Sequence, residues 1–195
     1  MNTVDSLRAS LDVAISTEQG DIDIADDILK SSAFLVAIAS AGIYFSLSQI
    51  EKIQPVTHSN QSTIIAFLAT STFLAASVIL AAGVHRHYMR FRALCRNMIV
   101  ARRILHSELI EKISELENLK IDTPIPLWAL VVSGHISEHI NFPTLTNFPE
   151  TQEKQTTARK KLDRLHNLQR RLVILGFVLL LASAITPTIF HIATL

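Results

Sequence analysis

Three stretches of this chain hold no Asp, Glu, Lys or Arg: Ser31 to Ile50, Thr63 to Val84 and Leu172 to Leu195, of twenty, twenty-two and twenty-four residues. Each is long enough to cross a hydrocarbon core of ~30 Å as a helix. A helix is the natural solution there, because lipid offers no partner for bare backbone amides and carbonyls. The competing solution, a water-soluble bundle, would have to bury three helices that are apolar all round within only 195 residues. The sequence therefore predicts an all-α integral membrane protein with three transmembrane helices.

Charge orients those helices. Of eighteen Lys and Arg, Arg8 and Lys30 precede the first apolar stretch, Lys52 lies between the first two, and fifteen fall in residues 85–171. Basic segments stay on the cytoplasmic side. The expected layout is a cytoplasmic N-terminal arm at 1–30, spans at 31–50, 63–84 and 172–195, and an external loop at 51–62. A cytoplasmic antiparallel helical hairpin fills 85–171, with a Pro-rich tip at 121–149. No cleavable signal sequence is expected at the N-terminus, which is acidic where a signal would be basic.

The arm carries seven acids against two bases, a balance of −5, whereas 85–171 carries nine acids against fifteen bases, a balance of +6. Opposite charge on one side of the membrane predicts that the arm docks on the central helix. Within the arm, Val4, Leu7, Leu11 and Ile15 have helical spacing. Gly20 then predicts a break, and Asp21 an N-cap for a second short helix bearing Ile22, Ala25 and Leu29.

From His85 to Lys120 there is neither Pro nor Gly, so the second span is expected to continue as one long helix. Val84, Phe91, Leu94, Cys95, Met98, Leu105, Leu109, Ile113 and Leu116 form its apolar stripe. Arg86, Arg90, Arg92, Arg96 and Arg103 lie largely opposite, and Arg102 falls inside the stripe. On the return arm Ala158, Leu162, Leu165 and Leu172 share one side. The tip holds Pro124, Pro126, Pro143 and Pro149, with a short apolar run around Trp128. That run is read either as a small helix covering the hairpin's end or as a docking patch anchored by Trp128.

Catalytic signals are thin. "HISEH", His135 to His139, matches the H-x-x-E-H pattern of inverted zinc peptidases. Without a clear third ligand or a second domain to form a cleft, it is read as surface histidines. The expectation is no enzyme, no metal and no cofactor. Cys95 stands alone; neighbouring arginines would lower its pKa, but a packed, inert thiol is the preferred reading. The spans lack the mid-membrane ionisable groups of ion-coupled transporters. They carry small residues instead: Ala33, Ala37 and Ala41 on the first, Ser71/Ala75 and Ser77/Ala81 on the second, Gly176 and Ala182–Ser183–Ala184 on the third. Small residues let helices approach closely in lipid, either within one chain or between copies. Ala37, Ala41, Ala75 and Gly176 are the expected helix-packing positions.

The run "GVHRHYMRFRALCRNMIVARR", Gly83 to Arg103, holds six arginines and no acid. It begins where the second span ends, so Arg86, Arg90 and Arg92 are expected at lipid headgroups with Tyr88 as an interfacial ring. Arg96, Arg102 and Arg103 lie farther out and are expected to meet an acidic or nucleic-acid-bearing partner.

Two spans followed by a basic "HRHYMRFRAL" helix resemble the SLATT class of small membrane effectors in bacterial conflict systems, over roughly residues 25–120. The resemblance implies a bacterial inner-membrane location and an effector, of a phage-defence or toxin system, that damages the membrane under the control of a cytoplasmic partner; the small-residue faces of the spans add the expectation of a homo-oligomer. The third span and the Pro-rich insert depart from a simple two-span effector. A non-toxic membrane adaptor that recruits a cytosolic complex is the second reading.

Overall fold

The structure is a computed structural model that describes residues 3–53, 61–118 and 148–193. Those residues form three helices: α1 (Thr3–Lys52), α2 (Gln61–Asn118) and α3 (Phe148–Ala193), of 50, 58 and 46 residues. All three are long and apolar enough to cross a membrane. The tip sequence around Trp128 and the His135–His139 pattern lie outside the described residues.

The expected break at Gly20 is not there. Helix α1 runs through it without interruption. A mid-helix glycine costs about 1 kcal/mol relative to alanine, which is less than the surrounding packing supplies. Glu18, Ile22 and Ala25, on either side of Gly20, are all buried. Asp21, expected as a cap, is instead an interior helical residue that pairs with Arg159.

The helices divide into two compact units, Met1–Ala25 with Arg90–Arg159 and Asp26–Met89 with Lys160–Leu195. In the first, Ile22, Ala25, Phe91, Cys95, Met98 and Ala158 are buried. In the second, Ala39, Leu74 and Val173 form a core against which Leu35, Ile38, Ile43, Val78 and Phe177 pack.

The second unit closes around Leu74, which is 0% exposed. A methyl group added at Gly176 would fall 2.5 Å from Leu74 Cδ2, and one added at Gly42 would fall 2.7 Å from Leu74 Cδ1. Leucine from α2 is therefore lodged between bare backbone of α1 on one side and α3 on the other. Ser46, Thr70 and Ser77 are also fully buried, and each hydroxyl donates to a carbonyl of its own helix: Gly42 at 2.9 Å, Ala66 at 2.9 Å and Leu74 at 2.7 Å. Buried hydroxyls satisfied in this way place no unmet polar group in the apolar packing.

The outer surface of the same unit stays apolar. Phe34, Tyr44, Ile79 and Val178 are 65%, 77%, 74% and 56% exposed. So much exposed aliphatic and aromatic surface is what lipid-facing helices present and what soluble monomers avoid.

The two glycines generate a prediction. Gly176→Ala should destabilise the protein by about 1–3 kcal/mol, because Leu74 cannot move off the new methyl without meeting Gly42. Gly176→Ala combined with Leu74→Ala should lose clearly less than the sum of the two single changes. Thermal unfolding of the full chain in mild detergent reads this; additive losses would show that Leu74 does not mediate the contact.

Candidate functional site: a buried polar layer and the basic face of α2

Inside the first unit the apolar stripe of α2 is interrupted by polar chemistry supplied from all three helices. Glu18 of α1 is 6% exposed and accepts from Arg102 Nη2 of α2 at 3.3 Å. Its other carboxylate oxygen accepts from Gln155 Nε2 of α3, and Gln155 Nε2 also lies 3.2 Å from Cys95 Sγ of α2. One turn further along α1, Asp21 accepts from Arg159 of α3. Glutamate, arginine, glutamine and thiol thus form one connected layer.

The sequence pattern explains how these groups meet. Arg102 breaks into a stripe of otherwise apolar residues, so it points inward with Cys95 and Met98 rather than outward with its neighbours. A guanidinium so placed needs a carboxylate, because an uncompensated charge away from water is costly. Glu18 supplies it. The acidic arm, expected on the central helix, meets α2 through the Glu18–Arg102 pair, and a second pair, Asp21–Arg159, joins it to α3 as well.

Cys95 is sealed inside this layer. Burial pushes its thiol up to about 11, with the hydrogen bond from Gln155 opposing the rise and the nearby Glu18 and Asp21 carboxylates adding to it. The arginines of the run do not activate it. Burial lowers the pKa of His166, with the hydrogen bond to Gln169 and the Asp163 carboxylate opposing the fall and the Arg170 charge adding to it.

Polar contacts also tie the helices of the second unit together. Ser32 Oγ donates to Gln169 Oε1 at 2.7 Å, and Gln169 Nε2 donates back to the Ser32 carbonyl at 3.3 Å. Both side chains are buried. Tyr88 is 4% exposed and its hydroxyl donates to Asp26 Oδ1 at 2.6 Å. The ring expected at the lipid interface is thus packed inside, tying α2 to α1.

The remaining expected site residues sort by exposure. Arg86, Arg90, Arg96 and Arg103 are exposed and Arg92 is half-buried. Arg102, grouped from sequence with the partner-facing arginines, pairs within its own chain. Trp128 is outside the described residues. Of the small residues, Gly176 is buried against Leu74 and Ala75 is half-buried, while Ala37 and Ala41 are exposed. Glu18, Gln155, Ser32 and Gln169 were not singled out from sequence. The one signal pointing to any of them was Arg102, a charge inside an apolar stripe.

No group of three or more His, Cys, Asp or Glu side chains suited to a metal is present among the described residues. Comparison of the chain with known protein families, with curated proteins and with solved structures finds no match.

The polar layer predicts thiol chemistry. With its pKa raised from 9.0 to about 11, Cys95 forms roughly one hundredth of the thiolate of an ordinary cysteine near pH 8. Alkylation of the folded protein should be slower than that of a free thiol by at least that factor. Glu18→Ala should speed it markedly by opening the layer around Gln155. Alkylation of the native chain at the rate of a free thiol would place Cys95 outside the layer.

Proposed function

We propose that this chain is a regulated membrane effector, of a bacterial defence or toxin system, that assembles from several copies and depolarises the membrane. In this reading the three apolar segments span the inner membrane. The basic segment 85–171 and the N-terminus are cytoplasmic, and the C-terminus faces the periplasm. The lysine and arginine asymmetry across the second span supports that orientation. A cytoplasmic partner holds the assembly inactive by binding the exposed arginines Arg96 and Arg103.

The observation that carries the reading is the exposure of Ala33, Ala37 and Ala41. Close packing within the chain uses Gly42 and Gly176 around Leu74. The alanine row lies on another face of α1, where it offers a second copy the close approach that drives helix association in lipid. The helices also run unbroken from apolar segment to charged segment.

Ala37→Leu and Ala41→Leu test this. Both add bulk without polarity, so insertion should persist while close approach of copies is blocked. Expression of the wild type with its partner released should depolarise the bacterial membrane, and either substitution should abolish that at equal membrane-fraction yield. Full retention of potential by the released wild type would favour the adaptor reading.

A further inference from the structure

Three contacts set the heights of the helices against one another within the second unit. Leu74 of α2 meets the backbone of both Gly42 on α1 and Gly176 on α3. Ser32 on α1 and Gln169 on α3 bond to each other, and Gly83 on α2 lies beside the Leu165 side chain on α3. Leu74 stands at the middle of the uncharged stretch 63–84, and Gly42 within two residues of the middle of 31–50. Gly176, at the same height, is only the fifth residue of the uncharged stretch 172–195. Helix α3 is therefore shifted along its axis relative to the other two.

The shift carries charge inward. Counted from the Leu74 level at about 1.5 Å per residue, Lys30 and Arg86 each lie about 18 Å away, whereas Arg170 and Arg171 lie about 9 and about 7.5 Å away on the same side. The other two contacts agree in direction. Arg171 stands about 6 Å nearer the middle than Lys30 through Ser32–Gln169, and about 13.5 Å nearer than Arg86 through Gly83–Leu165. Half of a hydrocarbon core is about 15 Å. In the three-span reading Lys30 and Arg86 thus reach its edge, while Arg170 and Arg171 fall inside it. Both arginines are exposed, and Arg171 lies on the face of α3 opposite the buried row Leu162, Gln169 and Gly176. Ile174, Leu175 and Val178 continue that face and are exposed, as is Ile79 of α2 at the height of Arg171. Aliphatic neighbours of this kind belong to a lipid-facing surface, not to the lining of a water-filled channel. A second copy in the same orientation offers no counter-charge there, because 28–50, 52–107 and 164–195 contain no Asp or Glu. The negative charge that can reach such a depth is the phosphate of a lipid.

We propose that Arg170 and Arg171 form a binding site for the phosphate of an anionic phospholipid, whose headgroup they draw below the plane of its neighbours beside α3. The inference rests on the three-span reading given above and not on effector activity. A guanidinium takes a phosphate through two parallel N–H donors, and an exposed arginine stem bends toward the interface to meet one. A lone charge held in hydrocarbon is costly, so bringing the headgroup inward is favoured over leaving the guanidinium bare.

The test uses the full chain reconstituted in vesicles of phosphatidylcholine and phosphatidylglycerol. Lipid preference is read from the immobilised fraction of spin-labelled phosphatidylglycerol against that of spin-labelled phosphatidylcholine, at about 0.5 M salt, where surface charges are screened. The wild type should keep a preference for phosphatidylglycerol, and Arg170→Gln/Arg171→Gln should lower it roughly tenfold. Arg170→Lys/Arg171→Lys should retain most of it, which separates lost charge from lost fold. Arg86 and Arg164 each stand twelve residues from the Leu74 level, at the edge of the core, and Arg86→Gln/Arg164→Gln should leave the preference unchanged at that salt. Depth is read independently from spin labels in a Cys95→Ala background. A label at Arg171→Cys should lie as deep as one at Ile79→Cys and clearly deeper than one at Arg86→Cys. The proposal is overturned by no preference in the wild type, an unchanged preference in the glutamine pair, its loss in the lysine pair, or an equal loss in the edge pair. A label at Arg171→Cys in water while that at Ile79→Cys is in lipid would overturn this inference alone. Both labels in water would overturn the three-span reading together with it.

Discussion

Leu74 lodged between Gly42 and Gly176 is the contact on which the apolar half of the protein depends. Helices in lipid gain nothing from hydrophobic burial against one another, since lipid tails are as apolar as leucine. What remains is close van der Waals contact, each atom pair contributing only ~0.1–0.2 kcal/mol, so many must form at once. Bare backbone at two positions allows α1 and α3 to approach a single side chain of α2 from both sides. The buried hydroxyls of Ser46, Thr70 and Ser77 fit into such packing because each is already satisfied by its own helix.

The charged unit is organised by different physics. Its buried side chains include Glu18 and Gln155 alongside Phe91, Met98 and Cys95. An ion pair with one member buried and the other half-buried adds little net stability, because desolvation offsets much of the attraction. Its effect is on alternatives. Sliding α1 against α2 would leave the buried Glu18 carboxylate without the half-buried Arg102 that compensates it. The layer therefore selects one register of three long helices that apolar contacts alone would specify poorly. Gln155 extends that selection to α3 through its contacts with both Glu18 and Cys95.

The long helices were legible in the sequence because their signals are large: charge-free stretches of membrane length and a segment without Pro or Gly. Boundaries between weak signals were not. Gly20 suggested a break because helix propensity disfavours glycine, yet burial of Glu18, Ile22 and Ala25 outweighs that small local cost. Tyr88 beside an arginine run read as an interfacial ring, since nothing in a linear pattern places Asp26 next to it. Ser32 and Gln169 were silent for a related reason. A polar residue is assigned to the solvent unless a partner is known, and theirs lies on another helix. Arg102 was the informative exception: a charge within an apolar stripe demands a carboxylate, although only the packing of α1 shows that it is Glu18.

We propose that three crossings place the basic segment 85–171 on one side of the membrane and the connection between α1 and α2 on the other. Single cysteines at Asn60 and Lys154, each in a Cys95→Ala background, test it with a membrane-impermeant thiol reagent on cells whose outer membrane has been permeabilised. Asn60→Cys should label while the inner membrane is intact, and Lys154→Cys only after that membrane is broken. Labelling of both positions before lysis, or of neither, would contradict it.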